Sequence, residues 1–588
     1  MVPQNTNQSA LTVQRIRLWY ALLIIVVMIF GIRLFYVQII RYDHYKNAAL
    51  SDQQKEYEVP ASRGIIKAYD GNAVVPIVLN QQLYTLYADP TFIKNSDQVA
   101  AKIVPIIGGD ADSYAKLMST KNTRYVVLAK KLTKDQQAKI VALKYPGLGT
   151  EEQDFRTYPQ GSLASQLLGF VSDSGTGEYG IEQALNTQLA GTAGKLKAIT
   201  DVSGVPLAAS KDNIDQAPKN GSDVTLTVDL AMQQQLENIL QQGIKNAKAQ
   251  SVSALIMDPN TGAVKAMANL PTYDPSKYYD VTDPSVFQNA TVATPIEVGS
   301  TMKTLTTAAA LDQRVIKADT SYYDPGSWTV DGFKITNIEE DGGAGTRNIA
   351  DILNLSLNTG ATWMLMQMGG GQINTKARQA WYDYLSNHYL FGQATGIEQG
   401  YEASGYVPKP ADNGAGIDLT YANMAFGQAL TATPIQMGAA LSAVLNGGTY
   451  YKPYLVGQTT DSTGKTVTTK PKVVKKNVVS PQVGQDMIPL MQYVVQKHNI
   501  VPAFDQNKYI VGGKTGTAQI AKPGGGYYDN EFNGTYVGFV GGDKVQYVIV
   551  VFVQRPTVGG YAGTAAAQPI FANLAHMLIN DSYVLPKS

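Results

Sequence analysis

The chain begins with a polar tail, residues 1–17, and then its most apolar stretch. Leu18 to Ile32 carries no charge, and after Arg33 the apolar character resumes through Ile40. A helix of about 20 residues crosses a bilayer core, so residues 18–40 predict a transmembrane helix with Arg33 snorkelling near one end. Trp19, Tyr20, Phe35 and Tyr36 stand where interfacial aromatics belong. A cleaved signal peptide would need small residues after its apolar core. Arg33-Leu34-Phe35-Tyr36 offers none, which favours an uncleaved anchor. Arg15 and Arg17 before the span are matched by Arg33, Arg41 and Lys46 after it, so charge alone does not set its orientation.

Residues 41–222 alternate short apolar runs with turn residues and predict a mixed domain. The pattern changes at the turn cluster Asn220-Gly221-Ser222-Asp223. Val224–Val228 reads as a strand. Asp229 can cap a helix over Leu230–Ala249, where Met232, Leu236, Ile239 and Leu240 recur at helical spacing. A hairpin is predicted over Ser253–Met257 and Ala263–Ala268, and another over Gly534–Val540 and Val545–Val553. Pro569–Ile579 reads as a final helix. Strands at both ends of 223–588, with helices between, predict an α+β domain built on one antiparallel sheet. That length exceeds the usual limit of a single core, about 250–300 residues, so insertions are expected within 380–415 and 456–480.

Composition narrows the chemistry. Among 588 residues, 48 Lys+Arg offset 47 Asp+Glu, which argues against a nucleic-acid binder. The absence of cysteine removes disulfides, thiolate metal sites and thiol nucleophiles. Hydroxyls are then among the candidate covalent nucleophiles. His44, His388, His498 and His576 lack metal-ligand spacing and read as structural or surface residues. Gly513-Lys514-Thr515 is not a phosphate loop, because Lys508 stands where its first glycine belongs.

A serine can instead be served by a lysine three residues later on a helix, on the same face. Ser113/Lys116, Ser300/Lys303 and Ser462/Lys465 have that spacing. The first lies on a polar helical stretch and the third in a Thr- and Lys-rich loop. Ser300 differs: Glu297-Val298-Gly299 precedes it and an Ala-rich helical run, Thr304–Leu311, follows. Ser300 is thus expected at a helix N-terminus, where backbone N–H groups favour negative charge.

Ser300-Thr301-Met302-Lys303, Ser356-Leu357-Asn358 and Lys514-Thr515-Gly516-Thr517 follow in that order. Their combination is the motif set of penicillin-binding proteins and serine β-lactamases. With Arg63-Gly64, Tyr158-Pro159, Gly180-Ile181-Glu182, Asp258-Pro259-Asn260-Thr261-Gly262, Phe426-Gly427-Gln428, Thr433-Pro434 and Asn446-Gly447-Gly448, the chain resembles class B penicillin-binding proteins over essentially its whole length. Those are membrane-anchored peptidoglycan D,D-transpeptidases of division and elongation. Val298 replaces the proline frequent before Gly-Ser, and Ala68-Tyr69 replaces an Asp-Arg pair. Glu182-Gln183-Ala184-Leu185-Asn186 imitates the deacylating motif of class A β-lactamases. It precedes Ser300, whereas in those enzymes it follows the second motif, so it is expected to be structural.

The resemblance implies a penicillin-binding transpeptidase domain of β-lactamase-like fold over 223–588 and a dimerisation-type pedestal over 41–222. It places the catalytic domain outside the cytoplasm on a single-pass anchor. It also implies roles. Ser300 is the acylated nucleophile, and Lys303 its base, which burial and cationic Lys514 are expected to keep neutral. Ser356 relays a proton, Asn358 orients Lys303 and substrate, and Lys514, Thr515, Gly516 and Thr517 bind the substrate carboxylate. Backbone N–H groups of Ser300 and Thr517 form the oxyanion hole. No metal or organic cofactor is implied. The implied partners are stem peptides and their lipid-linked precursor, β-lactams, a polytopic glycosyltransferase and divisome or elongasome proteins. The alternatives are a D,D-carboxypeptidase or β-lactamase-type hydrolase and a non-catalytic β-lactam sensor or scaffold.

Overall fold

The computed structural model describes residues 7–199, 214–337, 343–410, 416–502 and 504–588. The start of the polar tail (1–6), part of the expected pedestal (200–213) and the end of the insertion expected over 380–415 lie outside the described residues. Two compact units emerge: residues 1–61 with 192–220, and residues 62–191 with 221–588.

In the first unit, one helix runs from Asn7 to Phe35 and continues through a wider turn, Tyr36–Ile40. Val13–Ile40 spans 28 residues, and its most apolar 18-residue stretch has a mean hydropathy of 2.5 and is not buried against protein. At 1.5 Å per residue it is about 42 Å long, enough for a bilayer core. The same unit holds a three-stranded antiparallel sheet of Gln54–Val59, Gly194–Ile199 and Ile214–Gln216.

In the second unit, the long strand Ala73–Ala88 pairs with Ile66–Asp70, Val126–Leu132 and Leu148–Thr157. Three short helices cover its far end and enclose a small core around Leu86, Val99, Ile103, Met118 and Ile140. Asn95, Asp110 and Thr133 cap those helices, each accepting a backbone N–H with its side chain. The strand expected at 224–228 is Asp223–Asp229. It pairs in parallel with Ile66–Asp70 and antiparallel with Val456–Thr460. The insertion expected within 456–480 thus supplies an edge hairpin to this sheet, with Thr466–Thr468 as its outer strand.

Glu182 is fully buried between two arginines. Arg63 Nη2 lies 2.6 Å from one carboxylate oxygen and Arg156 Nε 2.7 Å from the other. Arg63 also donates to Asn186 Oδ1, and Arg156 to Gly64 O and Asn80 Oδ1. The apparent deacylating motif is therefore a structural knot tying Arg63-Gly64 to Gly180-Ile181-Glu182.

The main five-stranded sheet and its helices follow. Helix α1 (Leu230–Ala247) is capped by Asp229, whose side chain accepts from Met232 N. The strands are β1 (Ser251–Met257) and β2 (Val264–Leu270). Helices α2 (Met302–Asp312), α3 (Ile349–Asn354), α4 (Asn358–Met368), α5 (Pro434–Leu445) and α6 (Pro481–Lys497) come next. Strands β3 (Ile510–Ala521), β4 (Tyr527–Gly541) and β5 (Val545–Gln554) and helix α7 (Gln568–Asn580) complete it. The sheet order is β2-β1-β5-β4-β3, antiparallel throughout, so the expected closure of first and last strands occurs through β1 and β5. Helices α1 and α7 pack together along the sheet, while α5 and α6 pack on β5 and β3. Helix α5 is buried at every residue, Pro434 to Leu445, so its apolar run is core. Ser113/Lys116 lies in the polar helix Ala111–Met118, and Ser462/Lys465 in an exposed turn.

Replacing Glu182 by Ala would leave two buried guanidinium groups uncompensated. Denaturant unfolding of the full chain is expected to show a loss of about 3–5 kcal/mol. The lifetime of a penicillin adduct, followed by release of label, is expected to stay unchanged.

Candidate active site

Three chain segments converge in one cleft of about 580 Å³. The first is the turn before α2. Gly299 has φ +58°, and a Cβ there would lie 2.7 Å from Thr517 O. Glycine is thus required both for the left-handed turn and for contact with β3. Residues Gly299–Thr301 form a tight turn that runs into α2 at Met302, which sets Ser300 at the helix N-terminus as expected. Val298, where the family often has proline, is 1% exposed; its carbonyl accepts from Thr301 Oγ1 and Thr535 Oγ1, both at 2.8 Å.

The second segment joins α3 to α4. Helix α3 ends in a left-handed Ser356, φ +58°, and Leu357 N donates to Ile352 O at 3.0 Å. This closure satisfies a helix-end carbonyl and turns the chain sharply. Leu357, the middle residue of the motif, is fully buried, so an apolar residue suits the position. Ser356 and Asn358 on either side face the cleft.

The third segment is β3, an edge strand whose Lys514-Thr515-Gly516-Thr517 stretch borders the turn of Ser300. A Cβ on Gly516 would lie 2.3 Å from Thr535 Oγ1 and 2.6 Å from Val298 O. Gly516, expected among the substrate-binding residues, is buried and does not line the cleft. Its contribution is the close approach of strand to turn.

Lys303 lies beneath the cleft with no solvent exposure. Its Nζ donates to Ser300 Oγ at 2.8 Å, Asn358 Oδ1 at 2.8 Å, Ser356 Oγ at 3.2 Å and the Ser356 carbonyl. Asn358 Nδ2 donates to Thr336 O at 3.1 Å. Lys514 is 1% exposed, and its Nζ donates to Thr515 O and Oγ1 at 3.1 and 3.3 Å. Thr517 Oγ1 accepts from Gly563 N at 3.0 Å. Such a constellation can deliver a serine oxygen to a carbonyl, accept its proton on an amine and hold an anion beside β3.

Behind the turn, Glu297 Oε1 accepts from Ala429 N and from Tyr527 OH, both at 2.9 Å. Burial pushes this carboxyl above its ordinary value. The two bonds tie the turn of Ser300 to Ala429, just after the Phe426–Gln428 loop, and to β4.

Ser300, Ser356, Asn358, Lys514, Thr515 and Thr517 all line the cleft. Several wall residues have no motif to announce them. His498, read from sequence as structural or surface, lines the cleft, with Nε2 3.3 Å from Asn354 O. Tyr561, Thr564 and Gln568 enter from the segment after β5. Among the described residues no cluster of His, Asp or Glu could hold a metal ion.

Comparisons with known proteins identify the family of the chain. Residues 252–576 match the family model of the penicillin binding protein transpeptidase domain, and 58–226 that of the penicillin-binding protein dimerisation domain. The chain is 30% identical over 591 residues to stage V sporulation protein D of Bacillus subtilis, covering 98% of this chain and 88% of that protein. It is 24% identical to peptidoglycan D,D-transpeptidase FtsI of Escherichia coli K12, over 90% and 85% of the two chains. Penicillin-binding protein 3 of Mycobacterium tuberculosis, solved with aztreonam, superposes with a TM-score of 0.67 at 25% identity, over 90% and 98%. Penicillin-binding protein 2X of Streptococcus thermophilus shares the fold, with a TM-score of 0.70 at 23% identity over 90% and 80%.

Substituting Gly516 by Ala would push β3 away from the turn of Ser300. A displacement of about 1 Å costs on the order of a hundredfold in rate. Acylation by a fluorescent penicillin, timed on gels, is expected to slow by that order.

Proposed function

The chain belongs to the class B penicillin-binding proteins, and from that premise we propose how its cleft divides the work of D,D-transpeptidation. The protein is a serine-type peptidoglycan D,D-transpeptidase of cell-wall synthesis, penicillin-binding and membrane-anchored. What carries the assignment of roles is the 2.8 Å contact between Lys303 Nζ and Ser300 Oγ at the floor of a cleft walled by β3.

Ser300 Oγ attacks the carbonyl of the penultimate D-Ala in a stem peptide. Lys303, buried beneath the cleft with its Nζ 2.8 Å from Ser300 Oγ, takes the hydroxyl proton. The oxyanion forms against the backbone N–H groups of Ser300 and Thr517, where one donor is worth about 3–4 kcal/mol. Ser356 passes the proton from Lys303 to the leaving amine; the amide bond breaks and D-Ala departs. Asn358 holds Lys303 and the substrate amide, and Lys514, Thr515 and Thr517 hold the terminal carboxylate. The amine of a second stem peptide then attacks the acyl-enzyme, restoring Ser300 and leaving a crosslink. β-Lactams enter as mimics of the first acyl donor.

This reading places the catalytic domain on the extracytoplasmic side, where a lipid-linked precursor and glycan strands meet it. It retains a tail (1–17), a span (18–40), a pedestal (41–222) and a transpeptidase domain (223–588); the matches over 58–226 and 252–576 support the last two. A polytopic glycosyltransferase and divisome or elongasome proteins are its expected partners.

With lipid-linked precursor and a glycosyltransferase, the wild-type chain is expected to yield crosslinked muropeptides, and Ser300→Ala none. Penicillin labelling without any crosslinked product would contradict the transpeptidase reading and favour a sensor or scaffold.

A further inference from the structure

The side-chain amide of Asn358 must be held one way round. Oδ1 accepts from Lys303 Nζ at 2.8 Å, while Nδ2 donates to the carbonyl of Thr336 at 3.1 Å. Flipped over, it would set a donor against the lysine and an acceptor against the carbonyl, losing both bonds. The Thr336 carbonyl therefore selects the orientation that gives Lys303 an acceptor.

Thr336 ends the strand Phe333–Thr336, which among the described residues pairs only with Ser327–Val330, in a two-stranded hairpin. Such a hairpin is marginal by itself, so something else must fix that carbonyl. The next residue does so. Asn337 Oδ1 accepts from Thr359 N at 3.0 Å, and Asn337 Nδ2 donates to Thr359 Oγ1 at 2.7 Å. Thr359 Oγ1 in turn donates to Asp324 Oδ2 at 2.6 Å. Asp324 is 1% exposed; its other oxygen accepts from Gly326 N at 2.8 Å, and Tyr322 OH donates to Oδ2 at 3.2 Å. Trp328 Nε1, on the hairpin, donates to Thr359 O at 3.0 Å. The first turn of α4 is thus bound to the hairpin through main chain and side chain together.

We propose that Asp324, Asn337 and Thr359 form a positioning clamp that sets the amide orientation of Asn358 and, through it, the placement of Lys303 against Ser300. The three residues touch neither Lys303 nor Ser300 in any hydrogen bond described above; they act through Asn358. Thr359 supplies the hydroxyl that links a buried carboxylate to Asn337, and a methyl group in its place would leave Asp324 short of a donor. The clamp rests on the reading of the cleft as a serine transpeptidase site, and it adds to the three motifs a segment, 324–337, that lies outside them.

The test uses the full chain in detergent and a fluorescent penicillin. The concentration dependence of labelling separates non-covalent binding from the acylation step, and thermal unfolding is followed alongside. Thr359→Val and Asn337→Ala are expected to slow acylation about tenfold or more with little change in binding. Thr359→Ser, which keeps the hydroxyl, is expected to stay within about twofold of wild type. Wild-type acylation in Thr359→Val and Asn337→Ala would overturn the clamp, as would a loss that Thr359→Ser shares or one confined to binding. Labelling that survives Ser300→Ala would instead overturn the reading of the cleft on which the clamp stands.

Discussion

A lysine amine out of reach of solvent holds this cleft together. Lys303 is fully buried, and every acceptor described around it belongs to the chemistry: Ser300 Oγ, both oxygens of Ser356 and Asn358 Oδ1. A buried polar group without partners is costly. The position of the amine therefore requires the end of α3, the start of α4 and the turn before α2 to meet at one point. The same contacts that satisfy the amine put a serine oxygen within proton-transfer distance of it.

The rest of the core serves that meeting. Gly299 and Gly516 let the nucleophile turn lie directly on β3, where any side chain would collide with backbone or with Thr535. Among the described strands β3 pairs with β4 only, leaving its outer edge beside the cleft. Glu297 fastens the back of the turn to Ala429 and Tyr527. Farther away, the buried Glu182 and its two arginines bind segments more than a hundred residues apart and contribute structure rather than chemistry.

Much of this was legible in the residues. The roles we propose for Ser300, Lys303, Ser356, Asn358 and Lys514 depend on local spacing, and a spacing survives in sequence. The hairpins read over 253–268 and 534–553 follow from alternation and turn residues, and the α+β order implies a sheet closed by its first and last strands; the extension of β4 back to Tyr527 and the pairing of β1 with β5 come from the structure. Ser300 was expected just ahead of a helix beginning near Thr304, and the helix begins at Met302 because the tight turn continues into it. What sequence did not show depends on distance along the chain. His498 reaches the cleft because α6 ends there, and Tyr561 because the chain folds back after β5. Asp324 and Arg156 look like ordinary charged residues until burial and partners are known. Val456–Thr460 pairs with Asp223–Asp229 through a register that no local pattern encodes.

The central claim is that one of three Ser-x-x-Lys pairs, the one whose lysine is buried, carries the covalent step. Mass spectrometry of proteolytic peptides after exposure to benzylpenicillin tests it directly. The account predicts a single penicilloyl adduct, on the peptide containing Ser300. An adduct on the peptides of Ser113 or Ser462, or no adduct at all, would contradict it.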